Sequence, residues 1–205
     1  AEREIALRFV LDDAAAAEAV LTAVGTSLAN GVGLRTHGIV TATGPGSGAV
    51  VDILASRDHG RGSMARRAPR LVLATERGVT SAGAVVPLPE GAVLGVIGPE
   101  PTGTLPEAAR TVVREREARV LPLAIGDGGA MGFAAASAGA ALAVASHTLK
   151  AALDAAAVAG VVAGSLPGPE AEAHGQRARG AFEATRDVLS VATRGESDWK
   201  PVGVA

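Results

Sequence analysis

A short apolar run, a glycine-laden turn and a long stretch of small residues follow one another between positions 119 and 168: RVLPLAIGDGGAMGFAAASAGAALAVASHTLKAALDAAAVAGVVAGSLPG. No other segment limits the fold so tightly. Residues 120–125 form an apolar run short enough for a buried strand, and Gly126-Asp127-Gly128-Gly129 stops it. From about Ala138 the apolar positions recur at helical spacing as far as Ala157, and residues 158–163 then read as a second short strand closed by Gly164. Strand, helix and strand in that order point to an α/β protein.

Composition says what such elements can be packed with. Aromatic residues make up 2% of the 205 and glycine accounts for 27, so the core must be built from Ala, Val, Leu and Ile with backbones close together. The 48% hydrophobic and 20% charged shares are those of an ordinary globular chain. With 19 basic against 21 acidic residues the net charge is -2, which gives no electrostatic basis for nucleic-acid binding. There is no cysteine, which removes disulfides, thiolate metal sites and a cysteine nucleophile together and fits a reducing cytosol. The longest apolar stretch, 130–145, is interrupted by Gly132, Ser137 and Gly139 and falls short of the ~20 residues that span a bilayer. The opening AEREIALRF is charged from its second residue. A soluble cytoplasmic chain with no leader and no membrane partner is therefore expected.

Taken in order, the chain reads as a strand over 5–11, then a helix from Ala14 to about Leu28 with Asp12 or Asp13 as its cap and Asn30-Gly31 as its end. Two β-type runs, 34–43 and 49–55, form a hairpin across the glycine-rich turn 44–48. Residues 57–70 carry five arginines and no apolar period, so they form a connecting loop. Strands follow at 71–75, 84–88 and 92–97, then a helix over 105–117, and the last helix covers 177–191. The tail from Arg194, with Trp199, has no evident partner. The order divides into two similar halves, 1–117 and 118–205, each a small, mostly antiparallel sheet with helices packed on it.

Few residues carry chemistry. Asp127 stands where open α/β sheets place ligand-binding groups and could hold Mg²⁺ or Mn²⁺, but only Asp52 and Asp58 are plausible carboxylate partners. A plain Gly-Asp turn with no metal and no cofactor is the preferred reading. The functional rival is a small α/β enzyme or ligand-binding protein with an anion or metal-phosphate site at the Gly126–Gly129 turn. It would use Asp127 and Gly128, with Arg66, Arg67 or Arg70 as anion contacts. His37, His59, His147 and His174 show no zinc-type spacing. A Ser137/His147/Asp127 triad can be assembled on paper but lacks the strand-turn-helix nucleophile elbow. The glycine-rich segments 44–48 and 160–168 have neither a P-loop Lys-Ser/Thr nor GxGxxG spacing.

The run Ala145-Ser146-His147-Thr148-Leu149-Lys150-Ala151-Ala152, followed by the expected strand 158–163, resembles bacterial microcompartment shell proteins. In that family a helix ends in a pattern like Ala-Asp-x-x-Leu-Lys-x-Ala; here Ser146 replaces the acid and Lys150 keeps the lysine. Residues 33–55, 90–112 and 180–193 resemble further elements of the tandem-domain, trimer-forming members of the ethanolamine and propanediol type, in the same order. The pattern departs at 170–174, the only residues available for the returning strand of the second domain, which are flanked by Pro167 and Pro169.

The resemblance implies a structural shell protein and not an enzyme: a homotrimer closing into a pseudo-hexameric disc that tiles sheets with other shell proteins and passes a small metabolite through a central pore. It places Gly46, Ser47 and Gly48 together with Gly164, Ser165 and Gly168 on the pore side, and Lys150 at the tile edge. The location it implies is a proteinaceous microcompartment shell in the cytoplasm.

Overall fold

The computed structural model describes residues 2–42, 48–58, 67–80, 88–101, 104–191 and 199–204. The expected α/β class is observed. The strands are β1 (Glu4–Leu11), β2 (Arg35–Ala42), β3 (Ala49–Ser56), β4 (Leu71–Thr75), β5 (Val93–Gly98), β6 (Arg119–Ala124) and β7 (Val202–Gly203). They join in one sheet of order β2-β3-β1-β4-β5-β6-β7 instead of two small ones. The β2–β3 hairpin is antiparallel as expected, and β3 is antiparallel to β1; the other neighbours run parallel, so the sheet is mostly parallel. The expected strand at 84–88 falls largely outside the described residues.

Helices α1 (Ala14–Val32), α3 (Gly129–Leu149), α4 (Ala155–Ala163) and α5 (Ala171–Ser190) share one core with one face of the sheet. Ile5, Leu7 and Phe9 of β1 meet Val20 and Val24 of α1, Ala134 and Leu142 of α3, and Phe182 of α5 there. On the opposite face Ala109 and Val113 of α2 (Glu107–Glu115) close over Val72, Ala74, Leu94 and Val96, and Trp199 joins them. The tail thus has a partner after all: Val202 and Gly203 extend the sheet beside Leu123 and Ala124, and Val204 is buried against Gly180.

Four helices differ from the sequence reading, each for a local reason. Helix α1 runs through Gly31 to an αL cap at Gly33, because Gly31 lets the helix approach Leu142 of α3. Helix α3 begins at Gly129 and is buried almost all round, the pattern of a helix enclosed on every side. At 21 residues it is long and apolar enough to cross a membrane, yet 78% of its most apolar stretch is buried inside the protein, as in a core helix. The segment expected as a strand at 158–163 is helix α4: Asp154 caps it through Ala156 N at 3.2 Å, and Val158 and Val162 fall four apart on its buried face. The expected returning strand at 170–174 is absorbed into α5, whose buried face repeats at His174, Ala178, Ala181, Phe182 and Thr185.

Candidate functional site

A cleft of about 420 Å³ opens at the carboxyl ends of the parallel strands. Leu11 ends β1, Thr75 ends β4, Ile97 and Gly98 end β5, and Ile125 follows β6; the first turns of α1 and α3 supply Ala16, Ala130 and Phe133. Its position follows from topology. After β1 the chain crosses through α1 on one face, whereas after β4 it passes Val79 and Leu88 on the other. Neighbouring parallel strands whose connections diverge in this way leave a crevice at their carboxyl ends, the usual binding place in open α/β sheets.

The floor is apolar and the rim is polar. Asp12 Oδ1 accepts a hydrogen bond from Thr75 Oγ1 at 2.7 Å, and Thr75 Oγ1 accepts one from Gly78 N at 2.9 Å, so the Asp12 carboxylate is tied to the turn after β4. Asp13 accepts from Ala16 N at 2.7 Å and caps α1. Glu76 and Arg77 complete that wall. Opposite, α3 starts at Gly128 with no side-chain cap, which leaves the amides of its first turn without a side-chain acceptor where Gly126, Gly129 and Ala130 line the cleft. The geometry offers acceptors on the β1/β4 wall and amide donors on the α3 wall. It suits a small ligand or peptide segment with both kinds of polar group around an apolar middle.

The sequence-expected residues divide between this cleft and distant places. Gly126 and Gly129 line it, while Asp127 is exposed on the same turn. Gly128 faces Arg177 of α5, whose Nε would lie 3.1 Å from a Cβ added there. Arg66 lies outside the described residues. Arg67 pairs with Glu4 at 2.7 Å, at the start of β1, roughly 20 Å from the carboxyl end of that eight-residue strand. Arg70 pairs with Glu2 near the same end. Asp52 is held by Arg8 at 2.7 Å and Asp58 by Arg3 at 3.1 Å; with β3 four strand spacings from β6, Asp52 is about 19 Å across the sheet from the Asp127 turn. Among the described residues no three His, Asp or Glu side chains come together as metal ligands. Ser137 and His147, ten residues apart on α3, are separated by about 15 Å, which rules out the paper triad.

Of the residues assigned to a pore, Gly46 and Ser47 lie outside the described residues. Gly48 abuts the Leu11 carbonyl at the cleft end of α1, where a Cβ would come within 2.2 Å of the oxygen. Gly164 caps α4, Gly168 has φ +105°, and Ser165 Oγ meets Ser27 Oγ at 3.3 Å near the other end of α1. Ser27 lies about 20 Å along α1 from Asp13, so the two glycine segments do not converge. Lys150 is the αL cap of α3, with Arg57 Nη2 donating to the neighbouring Leu149 carbonyl at 2.8 Å.

Thr75, Glu76, Arg77 and Phe133 were not singled out from sequence, and Asp12 and Asp13 were read only as caps. Each stands at or just after the end of a strand or at the start of a helix, which was the available signal. The order in which the strands assemble was not.

No protein-family model matches the sequence, and comparison with curated proteins finds no match. Among solved structures, the γ subunit of a keto/oxoacid ferredoxin oxidoreductase from Geobacter sulfurreducens is similar over 91% of this chain and 99% of its own, with a TM-score of 0.62 and 15% identity. The pyruvate oxidoreductase subunit PORC from Thermotoga maritima is similar over 92% of this chain and 94% of its own, with a TM-score of 0.52 and 12% identity. The likeness is one of fold. At such identities it carries the architecture and not the roles of residues.

It also overturns the shell-protein resemblance and, with it, the pseudo-hexameric trimer, the metabolite pore and the shell-protein partners. Over 91% of its length the chain is similar in fold to an oxidoreductase subunit, and the stretch that carried the resemblance continues from α3 into a further helix where the shell family has a strand and hairpin. Small apolar residues between glycines satisfy both patterns in sequence, because Ala and Val runs of this length do not distinguish a strand from a buried helix.

Proposed function

We propose that this chain is a γ-type subunit of a multi-subunit oxidoreductase that oxidises a 2-oxoacid and passes the electrons to ferredoxin, and that its partners are the other subunits of that enzyme. The observation that supports this reading is the end-to-end match in architecture, 91% of this chain against 99% of the Geobacter subunit. Within the assembly, the cleft between the first turns of α1 and α3 is the surface this subunit offers to a ligand or to a neighbouring segment.

The test is to tag the full chain in its native cells, isolate it under gentle conditions and assay 2-oxoacid-dependent reduction of ferredoxin with pyruvate and with 2-oxoglutarate. The expected result is enrichment of that activity with the tagged chain, in fixed proportion to a small set of co-purifying subunits. Recovery of the chain alone without the activity, or as a self-assembled species, would overturn the reading.

A further inference from the structure

We propose that His174 and Arg177 form a proton-sensitive latch that holds α5 against the first turn of α3, and so controls the order of the cleft wall that this turn supplies. His174 is 3% exposed, and its Nδ1 lies 3.0 Å from Arg177 Nη1. An arginine can only donate, so Nδ1 is the acceptor and the imidazole is neutral with its proton on Nε2. Nε2 in turn points toward the exposed Glu170 carboxylate at 3.7 Å.

Held in this way, the Arg177 side chain lies across the start of α3. A Cβ on Gly128 would come within 3.1 Å of its Nε and 3.2 Å of its Cζ, and one on Gly132 within 3.7 Å of its Cδ. The two glycines, four apart, leave a slot that the arginine fills. Gly132 N closes the first α3 turn on Gly128 O at 2.8 Å, and Gly129, Ala130 and Phe133 of the same turns line the cleft.

Adding a proton to Nδ1 sets two N–H donors and two positive charges against each other, so the arginine must leave the slot. Asp127, exposed on the turn that leads into Gly128, is one residue before the slot, while α3, α4 and β6 carry no carboxylate. Helix α4 has no titratable side chain, α3 has only His147 near its far end, and β6 has only Arg119, which reaches toward Val191 beyond the opposite end of α5. Burial lowers the His174 pKa from the usual 6.5, Arg177 lowers it further, and Glu170 acts in the opposite sense. The sign follows from linkage. The open state takes up the proton more readily than the closed one, so the latch is fully closed above about pH 6.5 and weakens as the pH falls toward the lower, closed-state value.

Amide hydrogen exchange on the full chain, corrected for the intrinsic effect of pH, tests this. Protection of the Gly132 and Phe133 amides, the first that α3 bonds within itself, is expected to fall by up to about tenfold for each pH unit through that window, and the fall should vanish in His174→Gln, which keeps an acceptor but does not titrate. An unchanged protection in the natural chain, or the same fall in the variant, would overturn the proposal. Should His174→Gln not fold, NMR of the natural chain decides: the Gly128 and Gly132 amide shifts must share the midpoint of the His174 imidazole, and a different midpoint would overturn the latch.

Discussion

Single residues show how closely the helices are packed and where that packing leaves room. A Cβ on Gly139 would lie 2.0 Å from the Ala178 carbonyl oxygen, a backbone atom that cannot swing aside, whereas a Cβ on Gly160 in α4 meets nothing within 4 Å. The same substitution should therefore have opposite signs. Gly139→Ala is expected to destabilise by about 1–3 kcal/mol through overpacking, and Gly160→Ala to stabilise by up to about 1 kcal/mol through helix propensity alone. Urea melts of the two variants check both, and equal shifts would mean that the α3–α5 contact is looser than described. At Lys150 the backbone takes φ 54°, a conformation suited to glycine. Lys150→Gly should raise stability by up to about 1 kcal/mol; a loss of more than that in the same assay would show that the lysine side chain holds a structural contact.

At the scale of elements, the sheet has one exposed edge of full length. Among the described residues strand β2 is paired only with β3, and it carries Ile39 at 50% and Val40 at 37% exposure with no lysine or proline of its own to discourage pairing along its outer side. Ile39→Lys is expected to lower concentration-dependent association of the isolated chain, as read by light scattering, while moving its stability by no more than about 0.5 kcal/mol. Scattering that is unchanged would place the association elsewhere. The elements themselves were legible in sequence to very different degrees. Strands 5–11 and 71–75, the hairpin around 44–48 and helix α1 followed from period, caps and turn residues. The stretch 155–174 did not, because Val158 and Val162 fit a buried strand and a buried helix equally well until Asp154 is seen to cap the latter. The buried spacing of His174, Ala178 and Ala181 was readable, but the shell-protein resemblance required a returning strand at 170–174 in spite of the flanking prolines.

For the molecule as a whole, what sequence could not supply was the order of strands. Asp12, Thr75, Gly98 and Gly126 are far apart in the chain and meet at one cleft only because β1, β4, β5 and β6 lie side by side and parallel. The Gly126–Gly129 turn was visible as the end of a buried strand; Arg177, the arginine that reaches it, comes from a helix about fifty positions later in place of the arginine-rich loop. The chain shares that arrangement over 91% of its length with a γ subunit, and the proposed function rests on it. The decisive measurement is reconstitution by omission: the subunits that co-purify with this chain are produced together with and without it, and 2-oxoacid-dependent ferredoxin reduction is compared. Activity or assembly should be lost without the chain and restored when it is added back in equal amount. Full activity in an intact assembly that lacks it would contradict its place as a subunit of the enzyme.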